Sequence, residues 1–510
     1  MNPGTAVIWV KRDTRLADNA CLTEADRLGL DVLPFFCFEP SVLRADDASE
    51  MHLHAQWQSL EHLRHQLRRR GADLLIAHGE VVDKLAKLRQ RVPFTHLFAH
   101  EETGNAVTYR RDLAVARWCR EWGIAYREFP QSSVRRGGVN RDRLGEMWRS
   151  RILAATPLPV PAIRQPAGLR DLAASTGVPA CLRVTPSDRW QPVTESDAHA
   201  TMADFLARRG RWYRGGISSP NSAFTAGSRL SVHLAWGTIT ARLVWHAVQA
   251  RLADLDSGDP RSARWRKSLQ AFLSRLHWRD HFAQRLESEP ELEFRGIHPC
   301  YRDVPYQNDE GLHAAWREGR TGYPLVDAVM RCLAATGFVN FRMRAMVVSF
   351  ACHVLHLDWR LIHPHLARVF RDYDPGIHLN QLQMQAGVVG WNAIRVYNPS
   401  KQLADWDPEG RFVRQWLPEL RDQTAGRILS GDPLPRYPPP VVPFAARARQ
   451  MTDYLYGIRK TAEAKAATPA VYLRHGSRRK EQPFRSRRAG RHGKTSGPTL
   501  FDHLEDVQGA

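Results

Sequence analysis

Acidic residues are in deficit: 53 Asp and Glu stand against 73 Lys and Arg in 510 residues, giving a formal net charge of +20 and a pI near 10.1. That balance says nothing about fold, but it favours a polyanionic partner such as nucleic acid. Cysteine is scarce as well. The seven, Cys21, Cys37, Cys119, Cys181, Cys300, Cys332 and Cys352, are odd in number, far apart and never in a Cys-x-x-Cys pair. Neither a disulfide framework nor a thiolate metal site is readable in them. Long apolar runs are missing too: the most apolar stretch, Met346 to Leu357, is broken by His353 and His356 and is too short for a bilayer. The start of the chain has neither the charged segment nor the apolar core of a signal peptide. A glycine-rich Gly-x-Gly-x-x-Gly loop is absent from the first strand-to-helix turn, which reads Lys11-Arg12-Asp13-Thr14-Arg15, so a standard NAD-binding domain is not expected. With 43% hydrophobic and 25% charged residues the chain should fold over most of its length. The expectation is a soluble, cytoplasmic protein, monomeric and without a membrane partner.

What is present is one abrupt change of pattern. Ala6–Val10, Asp31–Phe38, Asp73–Ala77, His96–Ala99 and Ile124–Phe129 are short, β-branched or aromatic, and bounded by Gly, Asp or Pro. Between them Gln56–Arg70, Val81–Arg91 and Thr108–Trp122 have helical spacing, which predicts an α/β domain with a parallel five-stranded sheet over residues 1–135. Residues 136–200 read as an interdomain linker, because prolines and small polar residues recur from Pro157 to Pro192 without periodicity. Helical spacing then takes over in Met202–Arg211, Ser231–Ala250, Arg261–Leu286, Leu325–Leu357, Leu361–Val369 and Arg411–Leu420, so residues 201–470 should be all-α. Pro433–Pro443 reads as an extended strap before a helix over Ala445–Ala467. From Arg474 to Lys494 nine basic residues face one acid, Glu481, and residues 471–510 are read as a basic, disordered tail.

Three groups of residues carry chemistry. Sixteen tryptophans, most of them after Ala200, are individually best explained as core. In Ser274-Arg275-Leu276-His277-Trp278-Arg279-Asp280-His281, however, an indole sits in a basic helix, where it could stack on a planar ligand or a base. Gly227-Ser228-Arg229-Leu230-Ser231 opens a helical segment whose N–H groups and hydroxyls suit a phosphate, although spacing alone favours a plain N-cap by Ser228 or Ser231. Arg342 and Arg344 cannot share a helix face, so one guanidinium is directed inward, where it requires an anion. Asp372 or Asp374 is the candidate, with a structural salt bridge between helices an equal reading.

Taken together these fragments resemble the photolyase/cryptochrome flavoprotein family, in family order and over almost the whole chain to about Lys460. The resemblance rests on the stretch from Val10 to Asn19, on Gly227–Ser231 with Gly227 in place of the family's Thr, and on Thr321-Gly322-Tyr323-Pro324-Leu325-Val326-Asp327-Ala328. Further on come Ala335-Thr336-Gly337, Leu357-Asp358-Trp359-Arg360, Asp372-Tyr373-Asp374, Tyr397-Asn398-Pro399, Asp407–Gly410 and Arg414–Leu420. It implies an all-α C-terminal FAD-binding domain. By carry-over, Tyr213, Gly227, Ser228, Arg229, Leu230 and Ser231 would hold the FAD phosphates and ribityl chain. Arg279, Arg342, Arg344, Asp372, Tyr373 and Asp374 would line the flavin and sugar, with Arg344 paired to Asp372, and Trp359 would serve electron transfer. A second, antenna chromophore (folate or deazaflavin) is left open, near His100 to Asn105. The implied activity is light-driven repair of UV-damaged DNA, reduced flavin giving an electron to a flipped-out pyrimidine dimer. The alternative is a cryptochrome-type blue-light receptor without repair.

The departures from the family cluster at the substrate end. Arg275 stands where dimer-repair enzymes have Glu, Phe341 where they have Asn, Ala345 where they have Met, and Met384 where they have one of two dimer-sandwiching tryptophans. The other tryptophan matches Trp278. A guanidinium reverses the charge and the donor–acceptor pattern of a carboxylate, so the lesion would be held differently. In the photoreduction relay the first Trp aligns with Leu382, the second with Trp359 and the third with Tyr306. Leucine cannot be oxidised, which leaves Trp391, Trp278 or Tyr373 as other routes. The residue facing the flavin N5 aligns with His378, or with Asn380 under a register shift; His378 would titrate near neutrality unless it is a hydrogen-bonded core histidine. The catalytic set is therefore Trp278, Arg275, His378 and Met384. Iron–sulfur relatives are excluded, since no Cys follows Cys352.

Overall fold

The computed structural model describes residues 4–476 apart from 140 and 257. Five strands, β1 (Thr5–Trp9), β2 (Asp31–Phe38), β3 (Leu75–His78), β4 (His96–His100) and β5 (Ala125–Phe129), form one parallel sheet in the order β3-β2-β1-β4-β5. Alternate residues of β1 feed two cores: Ala6 and Ile8 join one apolar cluster, Val7 and Trp9 the other. A parallel sheet must be covered on both faces in this way. The third strand begins later than Asp73 because that residue is committed elsewhere. Its carboxylate takes Arg64 Nε at 2.6 Å and Arg68 Nε at 2.9 Å, and its N–H donates to Gln165 Oε1 at 2.6 Å.

The C-terminal half is helical. Two long runs of helical spacing are each divided at a glycine. Ser231–Ala235 and Ala241–Ala253 are separated at Gly237, whose φ is +64° and where a Cβ would lie 1.9 Å from the Arg12 carbonyl oxygen. Pro324–Thr336 ends at Gly337, left-handed at φ +71°, before Phe341–His353 begins. Gly237 therefore presses the first turn of the α/β unit onto the helical half, a close approach that only glycine permits.

The linker differs from the expectation. It contains the helices Leu144–Trp148 and Ala167–Ala174, and it is fastened to the sheet rather than merely crossing it. Arg64 Nη2 donates to the carbonyls of Ala173 and Ala174, and Gln165 pairs with the Asp73 backbone. The single C-terminal helix expected over Ala445–Ala467 is two, Phe444–Lys460 and Ala462–His475. The second crosses the expected start of the tail at residue 471, and the His475 carbonyl accepts from Arg285 Nη2 at 2.8 Å. Most of the basic tail lies outside the described residues.

Asp327, fully buried, explains the Thr321–Ala328 signature. Its carboxylate accepts from the Thr321 N–H (2.8 Å) and hydroxyl (2.6 Å), the Gly322 N–H (3.1 Å) and the Tyr437 hydroxyl. The motif closes its own loop and ties down the proline strap, whose Val441 N–H reaches the Thr321 carbonyl at 3.0 Å. Among the described residues no helix is long and apolar enough to cross a membrane.

Candidate functional site

Arg344 lies in the first turn of Phe341–His353 and reaches Asp372 in a two-point bridge, Nη1 to Oδ1 at 2.9 Å and Nη2 to Oδ2 at 3.0 Å. Its Nε donates to the Val339 carbonyl at 2.9 Å, which fixes the fork. Paired geometry of this kind is strong and directional. Burial alone would raise the Asp372 carboxyl; Arg344, the Ser231 hydroxyl and Arg229 outweigh it and hold the group below the ordinary aspartate value. A second pair stands beside the first: Arg279 donates to Asp280 at 3.0 Å and to Asp374 at 3.2 Å. Asp374 also caps Pro375–Gln385 through the Gly376 and Ile377 N–H groups. Arg342 instead lies over the Trp406 ring, 4.4 Å from its centroid. Of the two arginines it is Arg344 that meets the aspartate.

The loop Gly227–Ser231 carries no plain N-cap. Ser231–Ala235 has no side-chain cap: the Ser228 hydroxyl accepts from the Leu230 N–H at 3.4 Å, while the Ser231 hydroxyl bonds Asp372. Gly227 is required because a Cβ there would stand 2.6 Å from the Ala223 carbonyl, which accounts for the missing Thr. Arg209 donates to the carbonyls of Gly227 and Ser228. Arg229 has a positive φ of 60° and lies on the Phe338 ring at 3.6 Å. Burial pulls its guanidinium down to about 10, still charged at neutral pH.

Three buried polar atoms around the Arg344–Asp372 pair have no protein partner: Arg229 Nη1, Asn340 Oδ1 and His378 Nε2. Native interiors leave few such atoms, and each calls for a reason. A large hydrogen-bonding cofactor would offer all three a partner, and in that respect the residues present fit FAD. The Asn380 amide, by contrast, is spent on Arg285 Nη1 (3.0 Å) and the carbonyls of Phe282 (3.1 Å) and Gly376 (2.6 Å). Of the two alternatives for the flavin N5, only His378 keeps an unpaired ring nitrogen. The expectation that it titrates near neutrality is corrected: burial, with His363 and Arg344 adding to it, holds His378 well below the ordinary value, so the imidazole is neutral.

At the substrate end Trp278 is half-buried, its ring 5.0 Å from His281 and 5.7 Å from Phe282. The Arg275 guanidinium hydrogen-bonds the buried Tyr213 hydroxyl, so two residues expected in separate roles are one unit. Met384 is half-buried against the helical core. Trp359 and Leu382 lie in that same core, 2% and 1% exposed, with Tyr306 packed against it.

Tyr373 is the largest departure. Its hydroxyl donates to Asp47 Oδ2 at 2.7 Å, and its ring stacks on His52 at 5.7 Å and 11°. The side chain thus turns away from the Arg344–Asp372 floor, toward a cavity of about 500 Å³ between the sheet and the helices. Lys11 and Arg111 stand over the Trp9 ring at 4.8 and 5.0 Å on one wall, and Arg12 over Trp236 at 4.3 Å on another. Glu102, Gly104 and Asn105, from the stretch expected to meet an antenna, line the same cavity. Burial pushes Glu39, also on its wall, up to about 7. Lys11 and Arg12 were visible as the odd first turn; Asp47, His52 and Trp236 were not, because only the fold brings them there. Arg344 and Asp372 line neither this cavity nor a smaller one of about 70 Å³ bounded by Arg279 and Asp374.

Residues 272–468 match the family described as the FAD binding domain of DNA photolyase, and residues 6–144 that described as DNA photolyase. A deoxyribodipyrimidine photo-lyase of Halobacterium salinarum is 28% identical over 474 residues, 86% of this chain and 96% of the relative. A cryptochrome DASH of Gloeobacter violaceus is 27% identical over 510 residues, 95% and 99% of the two chains. The crystal structure of a class III photolyase from Agrobacterium tumefaciens superposes with a TM-score of 0.74 at 26% identity, covering 90% of this chain and 99% of that one. An archaeal photolyase from Sulfolobus tokodaii, described with two FAD molecules, gives 0.72 at 25% identity, covering 89% and 99%. Sheet domain and helical domain are thus both matched, in order and nearly end to end, and the chain belongs to the photolyase/cryptochrome family and carries its FAD-binding domain.

Proposed function

We propose that this protein is a light-driven, FAD-dependent DNA photolyase that repairs UV-induced pyrimidine dimers, acting as a cytoplasmic monomer. The observation that carries the reading is the set of unpartnered buried atoms, Arg229 Nη1, Asn340 Oδ1 and His378 Nε2, around a fixed Arg344–Asp372 pair. Reduced FAD, when bound and lit, supplies the electron that opens the dimer. The chain supplies the setting. Arg344 offers a positive charge that cannot be lost by deprotonation, unlike that of Lys or His. His378 offers a ring nitrogen without a charge of its own. Trp278 presents an indole to a flipped-out base. Arg275, oriented by Tyr213, meets the lesion with donors only, where a carboxylate would accept. The net charge of +20 favours the phosphate backbone regardless of sequence. The 500 Å³ cavity, with Trp9 and Trp236 on its walls, is the proposed seat of an antenna chromophore.

A cryptochrome-type receptor is the second reading, favoured by the engagement of Arg275 with Tyr213 and by leucine at position 382. One experiment separates the two. The FAD-loaded protein, chemically reduced, is illuminated with DNA carrying cyclobutane dimers or (6-4) lesions. Light-dependent return of intact pyrimidines from one of them is expected. Failure on both, with reduced FAD still bound, favours the receptor.

A further inference from the structure

We infer that Tyr373 is a light-driven electron donor to the bound flavin, with Asp47 accepting its phenol proton. Asp372 and Asp374 face the Arg344 and Arg279 guanidiniums, and Tyr373 between them turns the other way, so its ring is rooted in the backbone that holds the flavin floor. Its hydroxyl donates to Asp47 Oδ2 at 2.7 Å in a buried contact, and Asn105 Nδ2, at 2.8 Å from the same oxygen, fixes that carboxylate. Around the ring stand three imidazoles, His52 stacked at 5.7 Å, His378 at 5.3 Å and His363 at 6.4 Å. Burial holds His52 and His363 down at about 4 and keeps His378 well below the ordinary histidine value, so none of the three is a cation opposing oxidation of the ring. The cation acting on the phenol is Arg12, whose Nη2 donates to the Tyr373 carbonyl at 2.6 Å rather than to the phenol, and the Asp47 and Glu293 carboxylates oppose it.

A phenol that loses an electron becomes a strong acid, and a carboxylate already bonded to it takes the proton without either group moving. On illumination Tyr373 gives one electron to the flavin. Its O–H bond breaks, an O–H bond forms on Asp47 Oδ2, and Tyr373 is left as a neutral phenoxyl radical. Tyr373 and Asp47 both line the 500 Å³ cavity, so where its antenna seat is empty a soluble thiol entering there can return one electron to the ring and leave as a thiyl radical, while Asp47 returns the proton. Such a donor is needed here because Leu382, where the family relay begins, cannot be oxidised. Whether the chain repairs DNA leaves the assignment untouched, since it requires only bound FAD.

The test uses full-length holoprotein with oxidised FAD, without DNA, flash-illuminated and then followed by electron paramagnetic resonance and by flavin absorbance. Wild type should give a radical whose spectrum narrows when ring-deuterated tyrosine, but not ring-deuterated tryptophan, is incorporated. Tyr373→Phe should lose that radical. With FAD content matched by absorbance, its flavin photoreduction should slow roughly tenfold or more. Asp47→Asn should slow photoreduction and abolish the solvent deuterium effect seen in wild type. Should Tyr373→Phe fail to hold FAD, labelled wild type and Asp47→Asn decide. The inference is overturned by a wild type without a tyrosine radical, by a radical that survives Tyr373→Phe, or by photoreduction lost in Trp359→Phe but kept in Tyr373→Phe.

Discussion

Arg344 and Asp372 show what a single ion pair contributes when it is partly enclosed. Their side chains are 22% and 7% exposed, so removing one partner strands a charge in a poorly solvated place. Asp372→Asn should cost about 2–3 kcal/mol in denaturant unfolding, below the full cost of a buried pair because Arg344 keeps some access to water. The sign of the pH dependence follows from the carboxyl's depressed folded value. The contribution is complete above the ordinary aspartate value and disappears as pH falls through the folded one. Asp372→Asn should therefore flatten the acid limb of stability against pH; an unchanged limb would remove the pair from the ledger. This pairing was legible, because an arginine that cannot face solvent demands an anion and two aspartates were at hand. Tyr373 with Asp47 was not, since the partners are 326 positions apart and no local pattern links them. The Arg229, Asn340 and His378 atoms left unpartnered were equally hidden, as satisfaction of a polar atom is a property of the folded chain.

Elements were read best where their own period decided them and worst where tertiary contact did. Val81–Arg91 carries its amphipathic stripe on its surface, and the expected and observed bounds agree. The runs Ser231–Ala250 and Leu325–Leu357 look continuous by spacing, but Gly237 and Gly337 break them because other segments come too close for a side chain. At Gly237 the intruder is the Arg12 carbonyl; at Gly337 a Cβ would stand 2.5 Å from the Met51 sulfur and 2.6 Å from the Arg371 Cβ. Gly237→Ala should cost about 3 kcal/mol, combining a disfavoured φ with a backbone clash. Gly215→Ala provides the comparison: its φ of +102° and ψ of −49° lie outside the left-handed helical region, with nothing within 4 Å of the added carbon, so only the backbone term applies, about 2 kcal/mol. Equal losses for the two variants in urea unfolding would mean that the junction between Arg12 and Gly237 yields, and that the sheet and the helices are not held there.

For the whole molecule the strongest consequence comes from histidines. Burial holds His52, His353, His363 and His365 down at about 4 and His233 at about 3, so the folded chain keeps all five neutral where the unfolded chain would protonate them. For a group depressed in this way the unfolded state binds more protons below its ordinary value, so stability falls as pH drops from about 6.5 toward the folded value. Each fully buried histidine removes up to about 1.4 kcal/mol per pH unit in that interval. Several acting together approach the ~5–15 kcal/mol that a folded chain has to lose, within about two pH units. The arginine excess works in the same direction, since carboxylates that neutralise it are lost on acidification. The unfolding temperature should therefore fall steeply between about pH 6.5 and pH 4.5, well before the aspartates titrate. Replacing His353, which sits in the core with Nδ1 on the Ser349 carbonyl at 2.9 Å, by Gln should make that slope shallower by about one proton while lowering stability at pH 7. A midpoint that stays level down to pH 5, or a His353→Gln slope equal to that of wild type, would mean that these imidazoles reach water and that the helical half is looser than its packing indicates.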